Sequence, residues 1–218
     1  MLICTLLTAP DGPNLEASLV ENLRNAWGGG DVIWLAPDQA AEFSLAQRPS
    51  NFEQVWEDVQ KMSVDMVILP AEGRRKKMLL ADMDSTMIQQ ECIDELAEVA
   101  GVGEKVKDIT ARAMNGELDF EAALKERVGL LAGLPEAVIT QVLKTRIHLM
   151  PGGPVLLKTM KANGAYAALV SGGFTAFTSE IARILGFDEN RANTLIAKDG
   201  SLTGDVGLPI LGRDAKVT

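Results

Sequence analysis

Two aspartates one residue apart, Asp82 and Asp84, directly follow the apolar run Met78 to Ala81. A short apolar run bounded by polar residues has the pattern of a buried strand, so the pair falls where a strand ends. Carboxylates at this spacing can converge on one pocket if the chain turns there. One could attack an electrophilic phosphorus and form an aspartyl-phosphate. The other could hand a proton to the leaving alcohol and later take one from water. The two roles need two environments: the attacking group stays ionised, while partial burial lets the proton carrier hold a proton part of the time. The spacing alone does not choose this chemistry, because a helix-capping Asp82 beside a solvated Asp84 would read the same.

A second polar cluster, Ser171-Gly172-Gly173, also follows an apolar run, residues 165–170. Its hydroxyl and backbone N–H groups suit phosphate oxygens, the glycines permit close backbone approach, and a helix after Phe174 would add a favourable dipole. Taken singly, the cluster is also an ordinary strand–helix turn. Other chemistry-bearing residues have plain readings. His148, the one histidine, precedes a Pro-Gly-Gly turn with no base partner and reads as structural. Cys92 reads as a buried thiol at a helix start, and Arg74 to Lys77 as a solvated basic linker.

The elements that must position these groups fall in two parts. Residues 1–75 read as a small α+β module of βαββ or βαβαβ order: strands at 2–7, 32–35 and 64–70, with helices at 15–23 and 52–62. The polar hinge 72–77 marks a domain boundary. From 76 to 218, strands alternate with helices, which predicts an α/β fold with a Rossmann-like, doubly wound parallel sheet. Its strands lie at 78–81 and 165–170, with helices at 154–163 and from Phe174 to Leu185. A mostly helical insert occupies about 88–149. Asp199-Gly200 suits a tight primed turn and predicts a β-hairpin. Both polar clusters lie at strand C-termini, the edge where such sheets bind ligands.

The chain has 218 residues, 47% of them hydrophobic and 23% charged, which suits a folded soluble protein. A net charge of −9 disfavours nucleic acid and anionic membranes as partners. Two cysteines, no apolar run of about 20 residues and no basic start before the first apolar run point to a cytoplasmic protein.

The run from Leu79 to Glu95 is similar to the first motif of the haloacid-dehalogenase phosphatases, in particular to the phosphoserine phosphatases. Residues 110–120 with 124–128, 169–174, and 192–195 with 199–206 and 214–217 match further blocks in order. The resemblance implies an Mg²⁺-dependent phosphatase of phosphoserine, a small-molecule substrate, acting in serine biosynthesis. It makes Asp82 the nucleophile and a metal ligand, and Asp84 the general acid/base and a metal ligand through its backbone carbonyl. Ser171 and the Gly172 N–H would hold phosphate, and Lys216 would neutralise charge between nucleophile and phosphoryl group. Glu91 would meet the substrate ammonium and Arg127 its carboxylate, with Met114 and Phe120 as apolar shields on a mobile helical cap. Another small phosphomonoester, such as phosphohomoserine, and a non-catalytic regulatory protein on the same fold remain as alternatives. The family's fourth motif, roughly Gly-Asp-Gly-x-Asn-Asp, is expected some twenty residues past the lysine, whereas the sequence stops at Thr218, so the expectation is a chain that binds Mg²⁺ poorly and turns over slowly or not at all. Residues 1–75 resemble an ACT-like, ferredoxin-like domain, which implies amino-acid sensing or homodimer formation.

Overall fold

A computed structural model describes residues 1–212. The chain divides into two compact units, one from Met1 to Arg75 and one from Lys76 onward.

The first unit runs β1 (Leu2–Thr8), α1 (Ala17–Ala26), β2 (Ile33–Ala36), β3 (Ala40–Leu45), α2 (Phe52–Gln60) and β4 (Val64–Pro70). Its strands form one antiparallel sheet in the order β2-β3-β1-β4. Alternation in β1 buries Cys4, Leu6 and Thr8, and the same period buries Ala41, Phe43 and Leu45 in β3. The order is therefore βαββαβ, one strand more than the sequence pattern predicts. The segment Ala40–Leu45 carries a short period-2 alternation, Ala41, Phe43 and Leu45 against Glu42 and Ser44, which the sequence pattern above passes over, and it pairs on both sides with β1 and β2.

The second unit is α/β. It runs β5 (Met78–Ala81), α3 (Cys92–Val99), α4 (Gly103–Met114), α5 (Phe120–Gly129), α6 (Ala137–Thr145), α7 (Gly153–Ala162), β6 (Tyr166–Phe174), α8 (Thr175–Leu185), β7 (Glu189–Asn193), β8 (Leu195–Lys198) and β9 (Ser201–Val206). Strands β5, β6 and β7 pair in parallel in that order. Strand β7 is too polar to show as an apolar run; it forms because β6 offers it a parallel ladder. The hairpin β8–β9 turns at Asp199 (φ 51°) and Gly200 (φ 79°), the two positive φ values that a type I′ turn requires.

The expected helical insert is present as α3 to α6 between β5 and β6. Its breaks have local causes. Asp119 caps α5 by accepting from the Ala122 N–H at 2.7 Å. Gly133 (φ 83°) ends the turn after α5. The core joins sheet and insert through Met83, Ile88, Leu96, Leu131, Leu169 and Phe177, all fully buried.

Candidate active site

The loop after β5 aims both aspartates outward by plugging its apolar residues inward. Met83, between them, is 0% exposed, and Met87 and Ile88 are buried beside it. The Met83 carbonyl accepts from the N–H groups of Thr86, Met87 and Ile88, folding the chain back on itself. Ser85 takes a left-handed conformation (φ 50°) at the apex, a strained state for a residue with a side chain. Asp82 and Asp84 are left on one side of the loop, half-buried, lining a cavity of about 190 Å³.

Ser171, Gly172 and Gly173 line the same cavity. Strand β6 continues to Phe174 rather than stopping at Val170, but its register against β7 breaks between those two residues. That irregularity re-aims the Ser-Gly-Gly backbone into the cavity. The Gly173 N–H donates to Ser171 Oγ at 3.0 Å. Gly173 has no space for a side chain: a Cβ there would sit 2.6 Å from Asp84 Oδ2. The second aspartate is thus packed directly over the Ser-Gly-Gly turn.

Helix α5 supplies the opposite wall. Phe120, Leu124 and Arg127 follow the i, i+4, i+7 stripe of one helix face and all reach the cavity. The Phe120 ring covers Gly172, whose added Cβ would meet Cζ at 3.1 Å. Arg127 is half-buried. Its Nε donates to the Ala123 carbonyl at 3.2 Å and Nη1 lies 3.5 Å from Thr110 Oγ1. Burial lowers its pKa, and the charges of Asp94 and Glu91 oppose that. Glu91 reaches the cavity from the N-cap position of α3, and its carboxylate accepts from Ser85 Oγ at 2.6 Å.

The two aspartates accept from different backbone donors. The Met83 N–H donates to Asp82 Oδ1 at 2.7 Å. The Cys92 N–H, the first of α3, donates to Asp84 Oδ1 at 3.0 Å. Burial pushes the Asp84 pKa up to about 6, aided by the charges of Glu91 and Asp82, while the Cys92 N–H pulls it down. The raised value lets Asp84 hold a proton part of the time near neutrality. Burial, with Asp84 alongside, raises the Cys92 thiol out of the nucleophilic range.

The cavity therefore gathers Asp82, Asp84, Glu91, Phe120, Arg127, Ser171 and Gly172 from the residues singled out in the sequence. Met114 requires correction. It ends α4, is 84% exposed and does not line this cavity. Helix α4 buries Val106 and Ile109, and at 3.6 residues per turn Met114 falls about 110° round from that face. Lys216 lies outside the described residues. Sequence reasoning passed over Leu124, legible only through the helix stripe it shares with Phe120 and Arg127. It also gave no role to Asn193, which is 1% exposed at the end of β7 and bonds to both Gly172 and Leu211.

A family model described as haloacid dehalogenase-like hydrolase matches residues 79–217. A phosphoserine phosphatase of Lactococcus lactis is 46% identical over 142 residues, 65% of this chain and 65% of that protein. One from Haemophilus influenzae is 40% identical over 198 residues, 88% of this chain and 62% of that protein. The chain thus spans less than two thirds of either relative. Among solved structures, a HAD family hydrolase from Salmonella enterica serovar Typhi superposes with a TM-score of 0.83 at 29% identity, covering 99% of this chain and 75% of that one.

Proposed function

The chain belongs to the haloacid dehalogenase-like hydrolases, and on that premise we propose that it hydrolyses O-phospho-L-serine to L-serine and phosphate. The observation that carries the reading is the meeting, in one cavity of about 190 Å³, of a carboxylate pair and a Ser-Gly-Gly turn with Arg127 and Glu91. The first three groups suit a phosphoryl group. The last two suit the carboxylate and ammonium of a free amino acid, since a guanidinium can grip a carboxylate through two parallel bonds. The similarity to phosphoserine phosphatases from several organisms supports the same substrate.

In this reading an Asp82 carboxylate oxygen attacks phosphorus, and the P–O bond to the serine oxygen breaks. Asp84 gives its proton to that departing oxygen, so serine leaves as the alcohol. Asp84, now ionised, takes a proton from water, whose oxygen attacks phosphorus and releases phosphate from Asp82. An Asp84 pKa of about 6 suits a group that must be both acid and base near neutrality. Ser171 Oγ and the Gly172 N–H hold phosphoryl oxygens, and Phe120 keeps water from the reacting centre.

Three carboxylates face one guanidinium among the described lining residues, so a phosphate dianion needs further positive charge to enter. Asp82 and Asp84 offer only oxygen donors, and Mg²⁺ is commonly held by one or two carboxylates together with water and substrate phosphate. Asp82 through its carboxylate and Asp84 through its backbone carbonyl would hold the ion, which when bound would supply charge against the phosphoryl oxygens and favour ionised Asp82. Lys216 would add a second positive charge. Two buried free cysteines support a reducing cytoplasm, where the reaction would close a route to serine. No helix among the described residues is long and apolar enough to cross a membrane. The βαββαβ unit supports a sensing or pairing role for residues 1–75.

The test is phosphate release by the 218-residue chain with Mg²⁺, comparing phosphoserine, phosphothreonine and a simple alkyl phosphate. Preference for phosphoserine, loss of activity in D82N and a beryllofluoride adduct on Asp82 are the expected results. Equal release from the alkyl phosphate would sink the substrate assignment, and an undiminished D82N would sink the mechanism.

A further inference from the structure

Asn193 ends β7, is 1% exposed and does not itself line the cavity. Both polar atoms of its carboxamide are engaged. Nδ2 donates to the Gly172 carbonyl at 2.8 Å and to the Leu211 carbonyl at 3.2 Å, and Oδ1 accepts from the Leu211 N–H at 2.7 Å. The amide orientation follows from chemistry, because the Leu211 N–H can only donate and the two carbonyls can only accept. A buried polar side chain matched in this way fixes whatever it holds.

What it holds is one peptide plane. The C=O of Gly172 and the N–H of Gly173 belong to the same trans amide, so they point in opposite directions. Anchoring the carbonyl on Asn193 therefore aims the Gly173 N–H the other way, where it donates to Ser171 Oγ at 3.0 Å. The flanking glycines cannot set that plane themselves, since glycine is the residue least restricted in φ and ψ. The same carboxamide also pins the backbone at Leu211, a little ahead of Lys216 in the sequence.

We infer that Asn193 is a positioning residue. By holding the Gly172–Gly173 peptide plane, it sets the direction of the Ser171 hydroxyl, and so the geometry of the phosphate-holding turn. The part that concerns phosphate rests on the function proposed above. The part that concerns the peptide plane does not.

The test uses the whole chain and the variants N193D, N193S and S171A. N193D keeps the size and one acceptor but loses both donors. A carboxylate at so buried a site can prevent folding, so N193S is run beside it. In ¹H–¹⁵N spectra the Gly173 amide is expected to shift and to exchange at least ~10-fold faster in the Asn193 variants, a loss of about one hydrogen bond's protection. Ala168 and Leu169, upstream in β6, keep their protection. Inorganic phosphate is expected to bind ~10-fold more weakly to N193S, with no further weakening when N193S is combined with S171A. An unmoved Gly173 amide, or additive losses in the double variant, would overturn the inference. If the parent bound no phosphate and released none from phosphoserine, the functional reading would fail, and the amide measurement would still decide the role of Asn193.

Discussion

Replacing Gly173 with alanine tests the central contact of the site. A Cβ at this position would lie 2.6 Å from Asp84 Oδ2, 3.3 Å from Ser171 Oγ and 3.4 Å from Met83 Cε. Ordinary van der Waals contact needs about 3.4 Å or more, so the carboxylate must retreat by roughly 0.8 Å. It cannot do so freely, because Oδ1 accepts the Cys92 N–H at 3.0 Å and the Met83 below it is 0% exposed. Rotation about the Asp84 side chain moves both oxygens, weakening a charge-assisted bond worth about 1.5–3 kcal/mol and uncapping α3. Displacing a proton carrier by about 1 Å costs on the order of 100-fold in rate. G173A is therefore expected to lower kcat for phosphoserine about 100-fold with KM changed little, and to lower the melting temperature by a few degrees. Steady-state phosphate release and a thermal melt on the same preparation measure both effects. Parent-like kcat together with an unshifted Cys92 amide would refute the reasoning, since the close packing of Asp84 on Gly173 would then have no consequence.

The raised Asp84 pKa carries a stability signature. Its folded value of about 6 lies above the unfolded 3.8, so the stability it contributes is fully present below about pH 4 and is lost as pH rises through 6. Measured by denaturant unfolding, D84N should therefore gain on the parent between pH 4 and 7, by at most about 3 kcal/mol, and a flat difference would count against the assignment. In the same range, the proton-donating half of the reaction should weaken as pH climbs past 6. That is read from single-turnover release of serine, and a profile flat from pH 5 to 8 would contradict an acid role. Arg127→Lys removes a planar fork held by Ala123 and Thr110. It should raise KM for phosphoserine at least ~10-fold and leave an alkyl phosphate unaffected, whereas equal effects on both would place Arg127 outside carboxylate recognition. Ser85→Ala frees Glu91 from its 2.6 Å hydrogen bond. KM for phosphoserine should change while kcat for an alkyl phosphate holds, and a loss common to both substrates would mean that the strained apex, rather than Glu91, had been disturbed.

Much of the site is legible in the sequence because its chemistry is local along the chain. Asp82 and Asp84 stand against an apolar run, as does Ser171, and an apolar run ending in polar residues marks a strand exit whatever surrounds it. Those strands, β5 and β6, are neighbours in one parallel sheet, so their exits necessarily fall side by side. The Asp199-Gly200 hairpin is similarly readable, since positive φ at two successive positions leaves few residue choices.

What the sequence could not decide are matters of direction and of long-range pairing. Strand β7 exists because β6 offers it a ladder, and a ladder partner leaves no mark on a short, polar segment. Met114 shares α4 with buried residues, and whether it faced the cavity depended on how that helix turned in packing. Asn193 is one polar residue among several in its segment. Only the folded chain sets it between Gly172 and Leu211, each 18 or more residues away along the backbone. Residue types and spacing determined which groups could react. Tertiary packing determined which of them meet, because a hydrogen bond of about 3 Å joins positions that a linear pattern does not relate.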